Sequence, residues 1–468
     1  MTGLARLSGG LKRSGATKVA MVMGGNIGLV ITQAIQFLFL ARLLGASDYG
    51  YVAAINALIT IAAPLSDLGF GNLVLMRCAR RREVAALELG NAVVMTLIVG
   101  STLTLLLVAV SEVVYGGAVD WRLAALLGVA ELLGTRLVTV CGNLHTAFEE
   151  FGFATLRLVL TGVARIAAIV ALALWPAGGP VLWAAGFAGL NLLLAAYSYW
   201  CAHRLAGGMR VSFAEIGASL REAWHFASGA LARAAYSDTD KVMLGRYAAS
   251  AELGAYTSAY RIVVMAFVPV RSLLQVTVVR FFRVGQQGMR ATLGITRQLL
   301  AFTVPYAICA SAATWLLAPF IPQLLGPSFA AAVPMCRALA LLPVIQSVQF
   351  VFADALSGAG HQAVRSRLQG LVGLTYALLG FALIPRLGWV GAAWTCLVGE
   401  GLLALLMAVA ALRIARRAPA PVPAEAPATP DAMPDAMPET ARAVAPAAAR
   451  TPGAPPALPP TPAPADRH

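Results

Sequence analysis

The stretch RLLGASDYGY at residues 42–51 is matched by the stretch RYAASAELGAY at residues 246–256. An arginine opens each stretch, and the alignment places Gly50 on Gly254, at an offset of 204 residues. In both stretches an acidic residue stands two positions before the glycine. The match predicts two related halves, each with this motif at the turn between its first two helices.

The composition indicates a membrane protein. Of the 468 residues, 59% are hydrophobic and only 12% are charged, with a mean hydropathy of +0.76, whereas about 25% are charged in soluble domains. The net charge is +14, but the arginines stand singly between apolar runs, so no nucleic-acid partner is expected. The six cysteines have no metal-binding spacing and are interpreted as small buried hydrophobic residues.

Apolar segments long enough to cross a bilayer fill most of the chain. A membrane-spanning helix needs about 20 mostly apolar residues, and the segments of that length number twelve. They lie at residues 19–41, 51–76, 89–111, 121–145, 154–175, 181–202, 224–245, 254–279, 294–320, 331–356, 367–385 and 389–413. The basic first 18 residues lead into a full-length span without a clear cleavage site, so the first helix is expected to be retained.

The distribution of Lys and Arg predicts the orientation. Alternate loops on one side hold 20 of these residues, whereas the opposite loops hold five, counting Arg42, Arg122, Lys241, Arg246 and Arg386. By the positive-inside rule the side rich in arginine faces the cytoplasm. Both termini are therefore expected in the cytoplasm, which requires an even number of spans.

Domain boundaries follow from the repeat. A basic N-terminus at 1–18 precedes a first lobe at 19–202, a cytoplasmic linker at 203–223, a second lobe at 224–417 and a tail at 418–468. The offset joins the first span to the seventh, so the six-helix lobes share one orientation and are related by a two-fold axis along the membrane normal. The fold predicted is an all-α polytopic membrane protein of about twelve transmembrane helices.

Two segments outside the spans have their own character. In the linker, Phe213, Ile216 and Leu220 have helical spacing, which fits either an interfacial helix that transmits lobe motion or an inert connector. The tail holds 15 of the chain's 26 prolines. It is predicted to be disordered because it has too little apolar surface to form a core.

Charged residues at membrane depth are the candidates for function. A charged side chain at the bilayer centre costs about 2.5–3.5 kcal/mol, so each needs a partner, an aqueous cavity or a function. The arginines predict a cationic path for an anionic, phosphate-bearing substrate, because guanidinium binds phosphate in bidentate fashion. For each charge an intramembrane ion pair is the alternative: Asp238 and Lys241, three residues apart, would neutralise each other, and Arg136 would meet Glu131.

Motifs of catalysis are missing from the sequence. It has no GxxxxGK[ST] motif for ATP hydrolysis, no HExxH and no GxSxG, and its five histidines do not cluster. The prediction is a protein that is not an enzyme and that uses no cofactor and no metal.

Four stretches resemble one transporter family: ARLLGASDYGYVAA (41–54), DLGFGNLVLMR (67–77), DKVMLGRYAASAELGAYTSAYR (240–261) and GAGHQAVRSR (358–367). They are similar to the bacterial polysaccharide or oligosaccharide flippases of the multidrug/oligosaccharidyl-lipid/polysaccharide exporter superfamily. The resemblance implies two lobes around a cationic cavity in the bacterial inner membrane. It also implies alternating-access movement of undecaprenyl-diphosphate-linked oligosaccharide for O-antigen of lipopolysaccharide, capsule or exopolysaccharide.

The resemblance also implies roles for the charged residues and further partners. Contacts to the diphosphate or to an acidic sugar are expected from Arg136, Arg165, Arg233, Arg261 and Arg271. Ion coupling or charge pairing is expected from Asp67, Glu131, Asp238, Asp240 and Glu400. Membrane lipid, a polysaccharide polymerase and a chain-length regulator are the further partners expected.

Three alternatives stay open. A peptidoglycan-precursor flippase of the same superfamily differs in having fourteen spans instead of twelve. A multidrug exporter of cations would need an acidic cavity. A membrane-embedded polysaccharide polymerase or ligase would need a large outer loop, whereas the longest outer loop predicted here has about ten residues.

Overall fold

A computed structural model describes the backbone of residues 2–417 and the side chains of residues 28–417, apart from those at 151, 154, 176, 229, 232, 233, 235–237 and 279. The backbone forms α-helices joined by short turns, and no β-strand occurs within this described part. The all-α prediction is therefore confirmed for it. The tail predicted at 418–468 lies outside the described residues.

Fifteen helices follow one another along the described backbone. They are α1 (Thr2–Ala62), α2 (Phe70–Arg80), α3 (Ala85–Tyr115), α4 (Trp121–Gly128), α5 (Thr135–Ala147), α6 (Phe151–Leu174), α7 (Gly179–Leu205), α8 (Phe213–Tyr247), α9 (Ser250–Gly285), α10 (Met289–Leu317), α11 (Ile321–Leu325), α12 (Ala332–Leu339), α13 (Leu342–Gly358), α14 (Gln362–Leu387) and α15 (Trp389–Arg417). A π-helix, Val129–Gly134, joins α4 to α5.

Ten stretches of the described residues are long and apolar enough to cross a membrane. The first, Gly28–Leu65, contains parts of two predicted spans, which meet where Gly45 interrupts α1 with a non-helical φ of 75° and ψ of 175°. The span predicted at 224–245 lies in α8, whose side chains are only partly described, and α8 is not among the ten. With these two differences, the ten stretches correspond to the twelve predicted segments.

The second predicted span, 51–76, is not one continuous helix. Pro64 lies in a 3₁₀ turn that follows α1, and Leu68 and Gly69 then adopt positive φ angles of 46° and 87°. The Asp67 carboxylate accepts hydrogen bonds from the backbone N–H groups of Gly69, at 3.2 Å, and Gly71, at 3.0 Å. Asp67 thus satisfies backbone donors where α2 begins, which gives its buried charge a local partner.

The turns divide between two ends of the bundle. The arginine-rich end holds the turns near Arg77–Arg82, Arg204–Ser212, Gly285–Gly288 and Ala359–His361, and the arginine-poor end holds the turns at Gly45, Gly116–Asp120, Ala248–Ala249 and Gly388. At the arginine-poor end the turns contact one another. The Ala46 N–H donates to Ser328 Oγ at 3.2 Å, and the Trp389 N–H donates to Glu252 Oε1 at 2.8 Å.

The hydrophobic core differs between the two ends. At the arginine-poor end, residues of both halves of the chain form one continuous core, with Tyr49, Tyr256 and Phe329 among its largest buried side chains. At the arginine-rich end there are two cores, one around Phe70 in the first half and one around Phe281 in the second. The two halves therefore share one core at the arginine-poor end and have separate cores at the other, where α8 contributes Ile216 and Ala223 to the first-half core.

The linker docks on the first half. Ser212 caps α8 by accepting from the Glu215 N–H at 3.4 Å, and the helix then continues to Tyr247 without a break. Ile216 is buried against the first-half core, whereas Phe213 and Leu220 are exposed. Of the apolar face predicted for the linker, only Ile216 is buried in this core.

Candidate functional site

A cavity of about 350 Å³ lies where the two halves meet. Its walls come from α1, the π-helix, α5, α6 and α7 of the first half and from α9 of the second. Three predicted arginines, Arg136, Arg165 and Arg261, line this cavity together with Glu131. Three guanidinium groups and one carboxylate give it a formal charge of +2.

Arg165 is the arginine of the cavity that other side chains hold in place. Its Nη1 donates to Gln36 Oε1 at 2.8 Å, and its Nη2 lies 3.4 Å from Glu131 Oε1. Its guanidinium carbon also lies 5.3 Å from the centre of the Phe187 ring, a cation–π distance. Glu131 therefore neutralises Arg165, and the predicted pairing of Glu131 with Arg136 is wrong, because Arg165 on α6 occupies the carboxylate.

The other two arginines of the cavity carry uncompensated charge. Among the side chains that the structure describes, no carboxylate lies within ion-pair distance of Arg136 or Arg261. Arg261 lies over the Phe37 ring, with its guanidinium carbon 5.6 Å from the ring centre. Two guanidinium groups are thus available to an anion that enters the cavity.

Aromatic rings form the walls beside the arginines. Trp183 and Phe187 are stacked, with ring centres 5.5 Å apart and planes 4° from parallel. On the other side, Phe37 and Tyr49 lie 5.9 Å apart, and all four residues line the cavity. The site therefore combines cationic groups with flat apolar surfaces, an arrangement that suits an anion joined to a sugar ring.

The remaining predicted arginines do not add to this wall. Arg271 is exposed on α9, and it is not among the described residues that line the cavity. The side chain of Arg233 lies outside those that the structure describes. Arg261 and Arg271 are ten residues apart, which is about 1,000° of rotation on an α-helix, so they point about 80° apart.

Four other predicted residues form a separate cluster in the second half. Lys241 Nζ lies 2.8 Å from Asp238 Oδ1 and 3.6 Å from Asp240 Oδ1, so the predicted pairing of Asp238 with Lys241 is confirmed. The Tyr256 hydroxyl donates to Asp240 Oδ2 at 2.9 Å. Glu400 lies beside Gln346 and Gln349, and its Oε2 makes no hydrogen bond with the described residues. Lys241 is buried within α8, inside the span predicted at 224–245, although the count of basic residues had included it among the loops.

Several cavity residues were not predicted from the sequence. Gln36, Asn56 and Thr60 place polar groups on the α1 wall of the cavity. A polar residue on a predicted membrane helix is the signal that could have identified Gln36 and Asn56. Trp183 and Phe187 give no such signal, because aromatic residues are ordinary in a membrane helix.

Comparisons with known proteins agree with the fold. The family model described as polysaccharide biosynthesis protein matches residues 16–284, which is more than half of the chain. No curated protein sequence matches the chain. Three solved structures have similar folds, and each shares less than 25% sequence identity with this chain.

The first is an inward-facing multidrug resistance transporter of the MATE family and the MOP superfamily, with 18% identity, a TM-score of 0.63 and coverage of 84% of this chain and 98% of that one. The second is the lipid II flippase MurJ in an inward closed conformation, with 12% identity, a TM-score of 0.68 and coverage of 85% and 90%. The third is a MOP-superfamily transporter from Pyrococcus furiosus, whose binding pocket is described as reversed in polarity, with 15% identity, a TM-score of 0.56 and coverage of 85% and 94%.

The family match covers the first half and reaches into α9, and the structural matches extend over both halves. The chain belongs to the polysaccharide biosynthesis protein family, and it has the fold of the MOP-superfamily transporters.

Proposed function

We propose that this protein is a flippase that moves undecaprenyl-diphosphate-linked oligosaccharides across the bacterial inner membrane. Its product would serve the synthesis of a cell-surface polysaccharide, such as O-antigen, capsule or exopolysaccharide. The observation that carries the proposal is the cavity charge of +2, with Arg136 and Arg261 unpaired by any described carboxylate. A diphosphate presents the oxygen pairs that guanidinium groups bind best.

Alternating access gives the direction of movement. The arginine-rich end faces the cytoplasm by the positive-inside rule, with both termini on that side. Because the halves share a core only at the arginine-poor end, the conformation described here would receive substrate from the cytoplasm. Separation of the shared core and closure of the arginine-rich end would then release the headgroup to the other side, while the polyprenyl chain stays in lipid.

Net movement needs a further source of free energy, since a bound ligand shifts conformations only by its differential affinity. A polysaccharide polymerase with its chain-length regulator would consume the flipped product and so maintain the substrate gradient. The cluster of Asp238, Asp240, Lys241 and Glu400 supports ion coupling as an added source. Glu400 is the member suited to exchange a proton, because its Oε2 has no described hydrogen-bond partner.

A peptidoglycan-precursor flippase is the second candidate, because the fold is also similar to that of MurJ. Both kinds of substrate carry a polyprenyl diphosphate, so the glycan is what separates them. A multidrug exporter of cations is disfavoured, because a cavity of charge +2 repels a cation. A polymerase or ligase would also need an acceptor site beside the diphosphate.

Flipping in proteoliposomes tests the proposal. We expect the purified protein to move a polyprenyl-diphosphate oligosaccharide with a fluorescent glycan between leaflets, as measured by loss of fluorescence to a reductant that cannot cross the bilayer. Lipid II and a lipophilic cation serve as the comparison substrates. Faster flipping of lipid II would favour the second candidate, and transport of the cation alone would overturn the proposal.

A further inference from the structure

Arg165 has one charged and one neutral partner, and the charged contact is the weaker. The neutral partner, Gln36, accepts from Nη1 at 2.8 Å, whereas the Glu131 oxygen lies 3.4 Å from Nη2. The Glu131 contact is single and long, in contrast to the paired bonds of about 2.7–2.9 Å that guanidinium forms with a well-oriented anion. A phosphate that entered the cavity would therefore bind Arg165 with better geometry than Glu131 does.

Arg165 also has unused donor capacity. Its Nε is buried and makes no hydrogen bond with the described residues. A guanidinium group offers five N–H donors, and a buried donor without an acceptor costs about 1–3 kcal/mol. An anion that replaces Glu131 can satisfy more of these donors, which favours the exchange.

The backbone around Glu131 is fixed by close packing. Glu131 lies in the π-helix, and a Cβ at Gly100 of α3 would lie 2.7 Å from the Leu132 carbonyl oxygen. On the other side, a Cβ at Gly134 would lie 3.0 Å from the Cβ of Asn191 on α7. The backbone that carries the carboxylate is therefore confined by its neighbours. Isolated π-helices are frequent at functional sites.

We propose that Glu131 is an internal counter-ion, which pairs with Arg165 while the cavity is empty and which the diphosphate of the substrate displaces. The inference rests on the proposed function. An empty cavity with three unpaired arginines would have a charge of +3, which is costly at membrane depth. Glu131 lowers that charge, weakens substrate binding by competition, and promotes release by pairing with Arg165 again.

Binding of inorganic pyrophosphate to the purified protein in detergent tests the inference, with calorimetry at low salt as the readout. Glu131→Gln removes the competing charge with little change of shape. We expect pyrophosphate to bind about tenfold more tightly than to the wild type, which corresponds to about 1.4 kcal/mol. Glu112→Gln, at an exposed carboxylate of α3, is the matched control and should leave the affinity unchanged.

A double variant separates competition from a structural role. In an Arg165→Ala background, Glu131→Gln should raise pyrophosphate affinity less than it does when Arg165 is present, because only repulsion of the anion is then relieved and competition for Arg165 is absent. Flipping by Glu131→Gln at saturating substrate should be slower than that of the wild type, since release is impeded.

Each contrary outcome has a distinct meaning. One contrary outcome is that the wild type binds pyrophosphate and a folded Glu131→Gln protein binds it no more tightly. This result would overturn the counter-ion proposal and leave the proposed function standing. An equal gain from Glu131→Gln with and without Arg165 would also overturn it. No binding of pyrophosphate by any of the proteins would overturn both the inference and the cationic site.

Discussion

Gly254 of α9 lies against Gly50 of α1 so closely that a Cβ on Gly254 would stand 3.0 Å from the Gly50 nitrogen and would overlap the Ala46 carbonyl. A Cβ on Gly50 would in turn overlap the Ser250 carbonyl. The repeat offset of 204 places Ala46 on Ser250 and Gly50 on Gly254, so the contact is reciprocal, as across a two-fold axis. The Oγ atoms of Ser47 and Ser250 lie 2.8 Å apart beside it.

This crossing should control closure of the arginine-poor end. Gly50→Ala and Gly254→Ala each put a methyl group into a backbone contact, with an expected cost to the closed conformation of about 1–3 kcal/mol. Spin labels on the two halves should therefore show longer distances at this end, and flipping should slow. Gly28→Ala, on the same α1 helix with open space around it, is the control. Unchanged distances in both variants would show that the crossing does not hold the end closed.

The unpaired arginines of the cavity should be needed for substrate binding, whereas arginines outside the cavity should not. Arg136→Ala and Arg261→Ala each remove a charged hydrogen-bond donor, and a hydrogen bond to a charged group is worth about 1.5–3 kcal/mol. We expect each variant to bind polyprenyl-diphosphate oligosaccharide at least tenfold more weakly. Arg271→Ala, ten residues from Arg261 on α9, should bind as the wild type does. Equal losses at Arg261 and Arg271 would argue against this cavity as the binding site.

The sequence predicted the helices well, because apolar length decides membrane insertion whatever the packing. It also aligned Gly50 with Gly254, since a backbone crossing tolerates little besides glycine. It could not predict which arginines share a cavity, because hydropathy gives the depth of a residue but not its direction around the helix. Arg261 and Arg271 have the same chemistry and the same helix, and only their rotation separates them.

The pairing within the cavity was also beyond the sequence. The sequence offered Arg136 as the partner of Glu131, whereas its partner is Arg165 on another helix. The approach of Arg165 to Glu131 depends on how α6 packs against the π-helix, and the local sequence does not specify that packing. Asp238 and Lys241 were predicted correctly because a spacing of three on one regular helix brings side chains together.

The charge cluster of the second half should be essential for stability. Lys241 is 6% exposed at its side chain, and Asp240 is fully buried. Lys241→Met would leave buried carboxylates without their cation, a change that costs about 3–5 kcal/mol for a buried pair. We expect a clear fall in the unfolding temperature. Adding Asp240→Asn to Lys241→Met should restore part of the lost unfolding temperature, because one uncompensated charge is removed. A further fall in the unfolding temperature of the double variant would contradict this account.

The last prediction concerns the contact between the linker and the first half. Arg77 Nη1 donates to Glu88 Oε1 at 2.8 Å and to Ser219 Oγ at 2.9 Å, and its Nη2 donates to Glu222 Oε2 at 2.6 Å. The side chain of Glu88 is 7% exposed and that of Glu222 is 47% exposed. Because water screens an exposed pair, the loss of Glu222 should cost about 0–1 kcal/mol, whereas the loss of Arg77 leaves Glu88 buried without its partner.

Variants of these two ion pairs therefore distinguish a linker that transmits motion between the halves from a linker that only connects them. Arg77→Ala should free the start of α8 from α2 and α3, raise hydrogen exchange of residues 213–223, and slow flipping at least fivefold. Glu222→Ala should change both readouts little, which makes it the matched control on the same contact. If Arg77→Ala raises exchange in this segment while flipping stays at the wild-type rate, the linker is an inert connector, and the movement of the halves must be transmitted through α1 and its contacts with α8 and α9.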